Sequence, residues 1–112
     1  METITLSWSY ADFKAYLLLY AADTNKIVTE EEKDFIDSQF DALLIKTVQK
    51  ELDNDNDYER IQKIMAYIEQ NHLTKKDLDG LLKEVEEIYQ SDGVYDTTEK
   101  AMFNLLEKLF NI

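Results

Sequence analysis

Apolar side chains recur three and four residues apart along most of the chain, a spacing that places them on one face of an α-helix. Because each predicted helix has one apolar face, the helices must bury those faces against one another, which predicts an all-α bundle. Five helices are expected, with these inward positions: Phe13, Tyr16, Leu17, Tyr20 and Ala21; Phe35, Ile36, Phe40, Leu43, Leu44 and Val48; Ile61, Ile64, Met65 and Ile68; Leu78, Leu81, Leu82, Val85, Ile88 and Tyr89; Met102, Leu105, Leu106, Leu109 and Phe110.

Polar residues mark where the helices begin and end. In a capping box, a hydroxyl at the helix start and a carboxylate three residues later bind each other's backbone N–H groups. The second helix is predicted to run from Thr29 to about Leu52 and the third to end near Asn71, followed by the single histidine, His72, as a helix-end or surface residue. Helix starts of the capping type are expected at Ser9 with Asp12, Thr29 with Glu32, and Thr74 with Asp77.

Composition narrows the possible chemistry. The chain has 112 residues, which fits one domain over residues 1–112, and its net charge is −12. Without cysteine, and with a single histidine, it has no disulfides, no thiolate nucleophile and no multi-histidine metal site. The acidic excess argues against binding nucleic acid, which requires clustered lysine and arginine. No catalytic motif, secretory signal or membrane-spanning run is visible, so we expect a non-enzymatic protein of the cytoplasm.

Two joints between helices resemble each other. Each follows a helix that ends on an aromatic residue; an acidic residue then opens the joint, an apolar residue follows, and a glutamate lies four positions after that. The matched residues are Tyr20 and Tyr89, Asp23 and Asp92, Ile27 and Tyr95, and Glu31 and Glu99. A duplicated helix–acidic loop–helix unit predicts two halves related by a pseudo-twofold axis.

These joints also carry a resemblance to a known family. The Ala-Ala-Asp end of the first helix, with its apolar plug and glutamate-rich helix start, resembles the TerB-like (tellurite-resistance) helical family, and the Asp92-Gly93 copy is closer to that family's pattern. The similarity covers Tyr16–Phe40 and Val85–Phe110, and in the first joint Thr24-Asn25 replaces the glycine. The resemblance implies an all-α domain, binding of a divalent cation by acidic loop residues, and a link to metal-oxyanion or envelope-stress responses.

The chemistry of the joints fits that implication. Hard cations such as Ca²⁺ and Mg²⁺ prefer oxygen ligands. Acidic residues at a helix start have a second explanation, because they cap the helix and interact favourably with its dipole without any metal. Both interpretations stay open from the sequence. The candidate metal ligands are Asp23, Asn25 and Glu31 in the first joint and Asp92, Asp96 and Glu99 in the second.

Two further acidic features have alternatives of their own. The run Asp53–Asp57 starts like an EF-hand loop, but Tyr58 and Ile64 replace the required glycine and glutamate, so we expect a solvated hinge in which Asp55 or Asp57 caps the next helix. Residues 23–59 contain twelve acidic and four basic residues. This segment is either a solvated face or a surface that docks a basic partner protein without metal.

Overall fold

The all-α prediction is confirmed. The computed structural model describes residues 8–22, 30–90 and 97–110, apart from the side chains of residues 31, 32 and 98, and these ranges contain six helices and no strand. None of these helices is both long and apolar enough to cross a membrane. The helices are α1 (Tyr10–Ala22), α2 (Glu30–Asp37), α3 (Ala42–Asn54), α4 (Asp57–Gln70), α5 (Lys75–Gln90) and α6 (Thr97–Leu109).

Helix α1 lies at the centre of the bundle and contacts each of the other five described helices. Its sequence predicts one apolar face, and that prediction is wrong, because Ala15, Leu18 and Leu19 on the remaining faces are buried as well. A helix that is apolar on all sides belongs in a core, where neighbouring helices cover every face. The surrounding helices keep a polar face, because only one side of each packs inward.

The second predicted helix is two helices, α2 and α3, separated by a turn at residues 38–41. Asp41 has an extended backbone, and its carboxylate accepts a hydrogen bond from the Leu44 N–H at 2.8 Å. The Ser38 hydroxyl donates to the Phe35 carbonyl at 2.7 Å. These local bonds end α2 and start α3, in competition with a continuous helix. Leu43, predicted to point inward, is therefore 74% exposed.

Two of the predicted helix starts are confirmed, and a third differs from its prediction. Ser9 with Asp12 and Thr74 with Asp77 exchange side chain–backbone hydrogen bonds of 2.9–3.2 Å. The predicted pair of Thr29 with Glu32 is not tested, because Thr29 and the side chain of Glu32 lie outside the described part of the chain. The helix α4 is capped by Asn56 with Glu59, not by Asp55 or Asp57.

His72 lies at the C-terminal end of α4, as the sequence predicts. It is exposed and has a positive φ of 52°. The His72 N–H donates to the Glu69 carbonyl and the Leu73 N–H donates to the Ile68 carbonyl. This pair of bonds is a Schellman motif, in which the left-handed residue reverses the chain; glycine is the usual residue there.

The inward faces of the outer helices largely follow the sequence pattern. All six predicted positions of α5 are buried. Leu106 in α6 and Phe110 directly after it are buried, whereas Leu105, also predicted to point inward, is 36% exposed. In α4, the predicted core residue Ile64 is buried. Tyr67, which is not among the predicted inward positions, is also buried, because its ring stacks on Phe13 with centroids 4.3 Å apart.

The pseudo-twofold relation between the two halves stays a prediction, and the helix contacts are compatible with it. A twofold axis that exchanges α1 with α5 also exchanges α2 with α6. Helices α1 and α2 contact each other, as do α5 and α6, and α2 contacts α5 just as α6 contacts α1. The middle pair, α3 and α4, packs on α1 and has no counterpart in this scheme.

Candidate functional site

Most of the predicted metal ligands lie outside the described residues. This holds for Asp23 and Asn25 in the first joint and for Asp92 and Asp96 in the second. Glu31 belongs to α2, but its side chain is also outside the described set. The structure therefore describes the helices before and after each joint, together with Glu99.

The C-terminal ends of α1 and α5, from which the chain enters the two joints, converge. The hydroxyl of Tyr89, near the end of α5, donates a hydrogen bond of 2.9 Å to the carbonyl of Ala21, near the end of α1, and this contact is buried. Ala22 and Gln90 are the last residues of these helices, so the chain enters both joints within one or two residues of the bond. The sequence cannot reveal this convergence, because it depends on the packing of α1 against α5.

Glu99 is a buried carboxylate at the far side of the second joint. It lies in the first turn of α6 and is 2% exposed. Burying a carboxylate is costly unless hydrogen bonds, an ion pair or a metal ion compensate for its lost hydration. Its position in the third residue of the helix fits helix capping, and its oxygen atoms also fit a cation ligand, so both interpretations of the sequence remain.

A second polar site, which we call the Lys63 cluster, consists of Trp8, Tyr16, Glu51, Asp55 and Lys63. The Lys63 ammonium group donates to Glu51 Oε2 and to Asp55 Oδ2, both at 2.8 Å. The Tyr16 hydroxyl donates to the same Asp55 oxygen at 2.7 Å, and the Trp8 indole N–H donates to Glu51 Oε1 at 3.2 Å. The cluster thus joins α1, α3, α4 and the segment before α1.

The electrostatics of the Lys63 cluster favour a charged Lys63 and a neutral Tyr16. Burial lowers the pKa of Lys63, but hydrogen bonds to Asp55 and Glu51 outweigh burial, and the net effect raises it. Burial and the hydrogen bond to Asp55 together raise the pKa of Tyr16 far above its usual 10.0. Asp55 is therefore a bound, partly buried group and not part of a solvated hinge. Sequence reasoning missed the cluster, because the helical spacing does not reveal which polar residues face each other across helices.

Arg60 closes the end of α3 beside this cluster. Its guanidinium group donates to the Leu52 carbonyl from Nε at 3.0 Å and from Nη2 at 2.8 Å. It also forms an ion pair with Asp57 at 3.2 Å and lies 6.0 Å from the centre of the Tyr20 ring. Cationic groups at a helix C-terminus interact favourably with the helix dipole, so this arrangement is structural.

A groove between α2 and α3, which we call the α2–α3 groove, has a volume of about 800 Å³. Its apolar surface includes Phe40, Ala42 and Ile45. The groove depends on the turn at residues 38–41, so the prediction of one continuous helix could not have found it. The charged residues around it are Lys33, Lys46, Lys50, Asp37 and Asp53.

Within the part of the chain that the structure describes, no group of three or more acidic or histidine side chains is arranged to hold a metal ion. The candidate ion site therefore depends on the joint residues outside that part. No protein-family model, no curated protein and no solved structure matches this chain. The resemblance to the TerB-like family accordingly stays a prediction from the joint residues.

Proposed function

We propose that this chain is a non-enzymatic domain that binds one divalent cation, Ca²⁺ or Mg²⁺, between its two acidic joints. The observation that carries the proposal is the buried bond from Tyr89 to Ala21, which brings together the helix ends that lead into both joints. The proposed ligands are Asp23, Asn25 and Glu31 from the first joint and Asp92, Asp96 and Glu99 from the second.

Convergence of the joints matters because either one alone has too few oxygen ligands. Ca²⁺ takes about 6–8 oxygen ligands, and Mg²⁺ takes about six, several of them water. Three side chains from each joint, together with backbone carbonyl groups and water, provide enough for one shared ion. Glu99 supports this arrangement, since it is a buried carboxylate in the first turn of the helix that follows the second joint.

Binding would have two physical consequences. The ion neutralises part of the net charge of −12, and it connects the half formed by α1 and α2 to the half formed by α5 and α6. A ligand that binds only the folded state, at a free concentration one hundred times its Kd, stabilises that state by about 2.7 kcal/mol. Ion binding would therefore brace the domain and stabilise a surface for a partner protein.

The test is calorimetric titration with Ca²⁺, Mg²⁺ and Mn²⁺, with the melting temperature measured in parallel. We expect one ion per chain and a rise in melting temperature. Asp23→Asn and Asp92→Asn should each lower the affinity strongly, and the double variant should lose binding while its circular dichroism stays helical. Two independent ions, with additive effects of the two substitutions, would contradict a shared site.

A matched control carries the same change in charge away from the joints. Asp53 in α3 and Glu69 in α4 are exposed, so Asp53→Asn with Glu69→Gln should leave the affinity unchanged. Absence of both heat and stabilisation at millimolar metal would eliminate the proposal. Equal loss of affinity in the control and joint variants would mean that the ion responds to overall charge and not to a site.

A metal-free docking function is the second candidate, and the distribution of exposed charge favours it. The described part of residues 23–59 has exposed carboxylates on α2, α3, α4 and the turns before them: Asp34, Asp37, Asp41, Asp53, Asp57 and Glu59. Exposed carboxylates of this number attract a basic partner protein. Association through them should weaken as salt rises and should be indifferent to EDTA. Ion-dependent association would instead be lost in EDTA.

We extend the first proposal to a role in the response to metal oxyanions such as tellurite, or to envelope stress. This extension rests on the resemblance of the joints to the TerB-like family alone. We also propose a cytoplasmic location, as expected from the sequence.

A further inference from the structure

The α2–α3 groove has a net positive charge, although the segment of sequence that forms it is acidic. Residues 23–59 are acidic as a whole, with twelve acidic residues and only four basic residues. Three of these four, Lys33, Lys46 and Lys50, line this one groove. With Asp37 and Asp53 also present, the groove has a charge of +1 on a protein with a charge of −12.

The three lysines are exposed, and none forms an ion pair with another residue of the described ranges. Lys46 and Lys50 lie four residues apart on α3, so their ammonium groups share one face of the helix and repel each other. An anion between them relieves that repulsion. Asp53, which also lines the groove, accepts a hydrogen bond from Gln49 at 2.9 Å and forms no ion pair with these lysines among the described side chains.

The floor of the groove is apolar. Phe40 and Ile45 pack against the hydrophobic core with one side and line the groove with the other. Ala42, at the start of α3, is exposed and leaves space between the two helices. The methylene stems of the lysines extend this apolar surface towards their charged ends. Pockets for small ligands typically have volumes of about 300–1,000 Å³, and this groove, at about 800 Å³, lies within that range.

We propose that the α2–α3 groove binds a single-chain anionic amphiphile of the fatty-acid class. The apolar chain lies on Phe40, Ala42 and Ile45, and the carboxylate head lies between Lys46 and Lys50, with Lys33 across the groove. The acidic surface elsewhere repels anions, but at physiological ionic strength charges beyond about 8 Å are largely screened. The nearby lysines therefore determine the preference of the groove for a negative head group.

The probe is decanoate, kept below its micelle concentration in about 0.15 M salt and titrated by calorimetry and by backbone amide NMR. We expect one molecule per chain, with amide shifts concentrated in α2 and α3. Lys46→Gln with Lys50→Gln should lower the affinity about tenfold, since each exposed ion pair contributes modestly. Ala42→Trp should abolish binding, because the indole occupies the space between the helices. Circular dichroism establishes that the variants fold.

The matched control is Lys75→Gln with Lys76→Gln, the same change of charge at two exposed residues in the first turn of α5. This control should bind decanoate like the unmodified chain. Decyltrimethylammonium tests the head group, and equal binding of this cation in the groove would overturn the proposal. So would decanoate affinity that is unaffected by the groove variants, or absence of binding at millimolar decanoate. A dimer that Ala42→Trp dissociates would assign the groove to a second copy of the chain and overturn the proposal as well.

Discussion

Replacement of Lys63 by methionine tests how the two helices of the middle pair, α3 and α4, are attached to each other. Methionine keeps most of the length and apolar surface of the lysine side chain but removes the ammonium group. Glu51 and Asp55 then face each other without the cation that separates their charges. The Tyr16 hydroxyl remains as a donor to Asp55, and the Trp8 indole remains as a donor to Glu51.

The exposure of the three charged side chains sets the size of the effect. Removal of one partner from a fully buried ion pair costs about 3–5 kcal/mol, and exposed pairs contribute about 0.2–1 kcal/mol. Lys63 is 22% exposed, Glu51 34% and Asp55 10%, which places the cluster between these limits. We therefore expect Lys63→Met to lower the free energy of unfolding by about 2 kcal/mol.

Urea unfolding followed by circular dichroism measures this loss. The control is Lys50→Met, which makes the same change of charge at an exposed residue of α3 and should alter the free energy by less than about 0.5 kcal/mol. Adding Glu51→Gln and Asp55→Asn to Lys63→Met should recover part of the loss, since neutral amides no longer repel each other. If Lys63→Met is as stable as Lys50→Met, the cluster does not attach α4 to α3, and the reasoning fails.

Three further predictions concern stability. Gly80→Ala should stabilise the domain by about 0.5–1 kcal/mol in the same urea assay, because Gly80 lies within α5 and an added Cβ has nothing within 4 Å. His72→Gly should stabilise it by about 0.5 kcal/mol in thermal unfolding, because glycine adopts the positive φ of 52° without strain; a loss of stability would contradict this. Above pH 10 the free energy of unfolding should fall by up to about 1.4 kcal/mol per pH unit for each tyrosine that ionises only in the unfolded chain. Burial raises the pKa of Tyr16 and Tyr20 above 10.0, so the folded state retains protons that the unfolded state releases, and pH titration of urea midpoints checks this.

The parts of the fold that follow from local chemistry could be predicted from the sequence. The helical spacing identified all six inward positions of α5, and the Ser9 and Thr74 starts follow from hydroxyl–carboxylate pairs only three residues apart. The spacing failed where tertiary packing overrides a single apolar face, as in α1, which is buried on every side. It failed again at residues 38–41, where Ser38 and Asp41 replace helical hydrogen bonds by local ones that the apolar pattern does not reveal.

The candidate sites also combine features that are local in the sequence with features that depend on tertiary packing. The acidic joints are visible in the sequence because their residues are close together in the chain, but the proximity of the helix ends that lead into them depends on a bond between Tyr89 and Ala21, 68 residues apart. The α2–α3 groove requires a break in a helix that the apolar spacing treats as continuous. The spacing of Lys46 and Lys50, one helical turn apart, indicates that they share a face of α3. It does not reveal that α2 forms the other side of the groove.

The two attachments in this domain differ in chemistry, and hydrogen exchange can separate them. Helix α5 is held to α1 by buried apolar side chains and by the Tyr89 bond, whereas α3 and α4 add the charged Lys63 cluster to their buried apolar contacts with α1. A cation in the joints acts where α1 and α5 end, so it should slow amide exchange at those ends and at the start of α6. Exchange in α3 and α4 should change little, because local opening can occur in separate units. Uniform slowing over all helices would mean that the domain opens as one unit, and that the two halves and the middle pair are not energetically distinct.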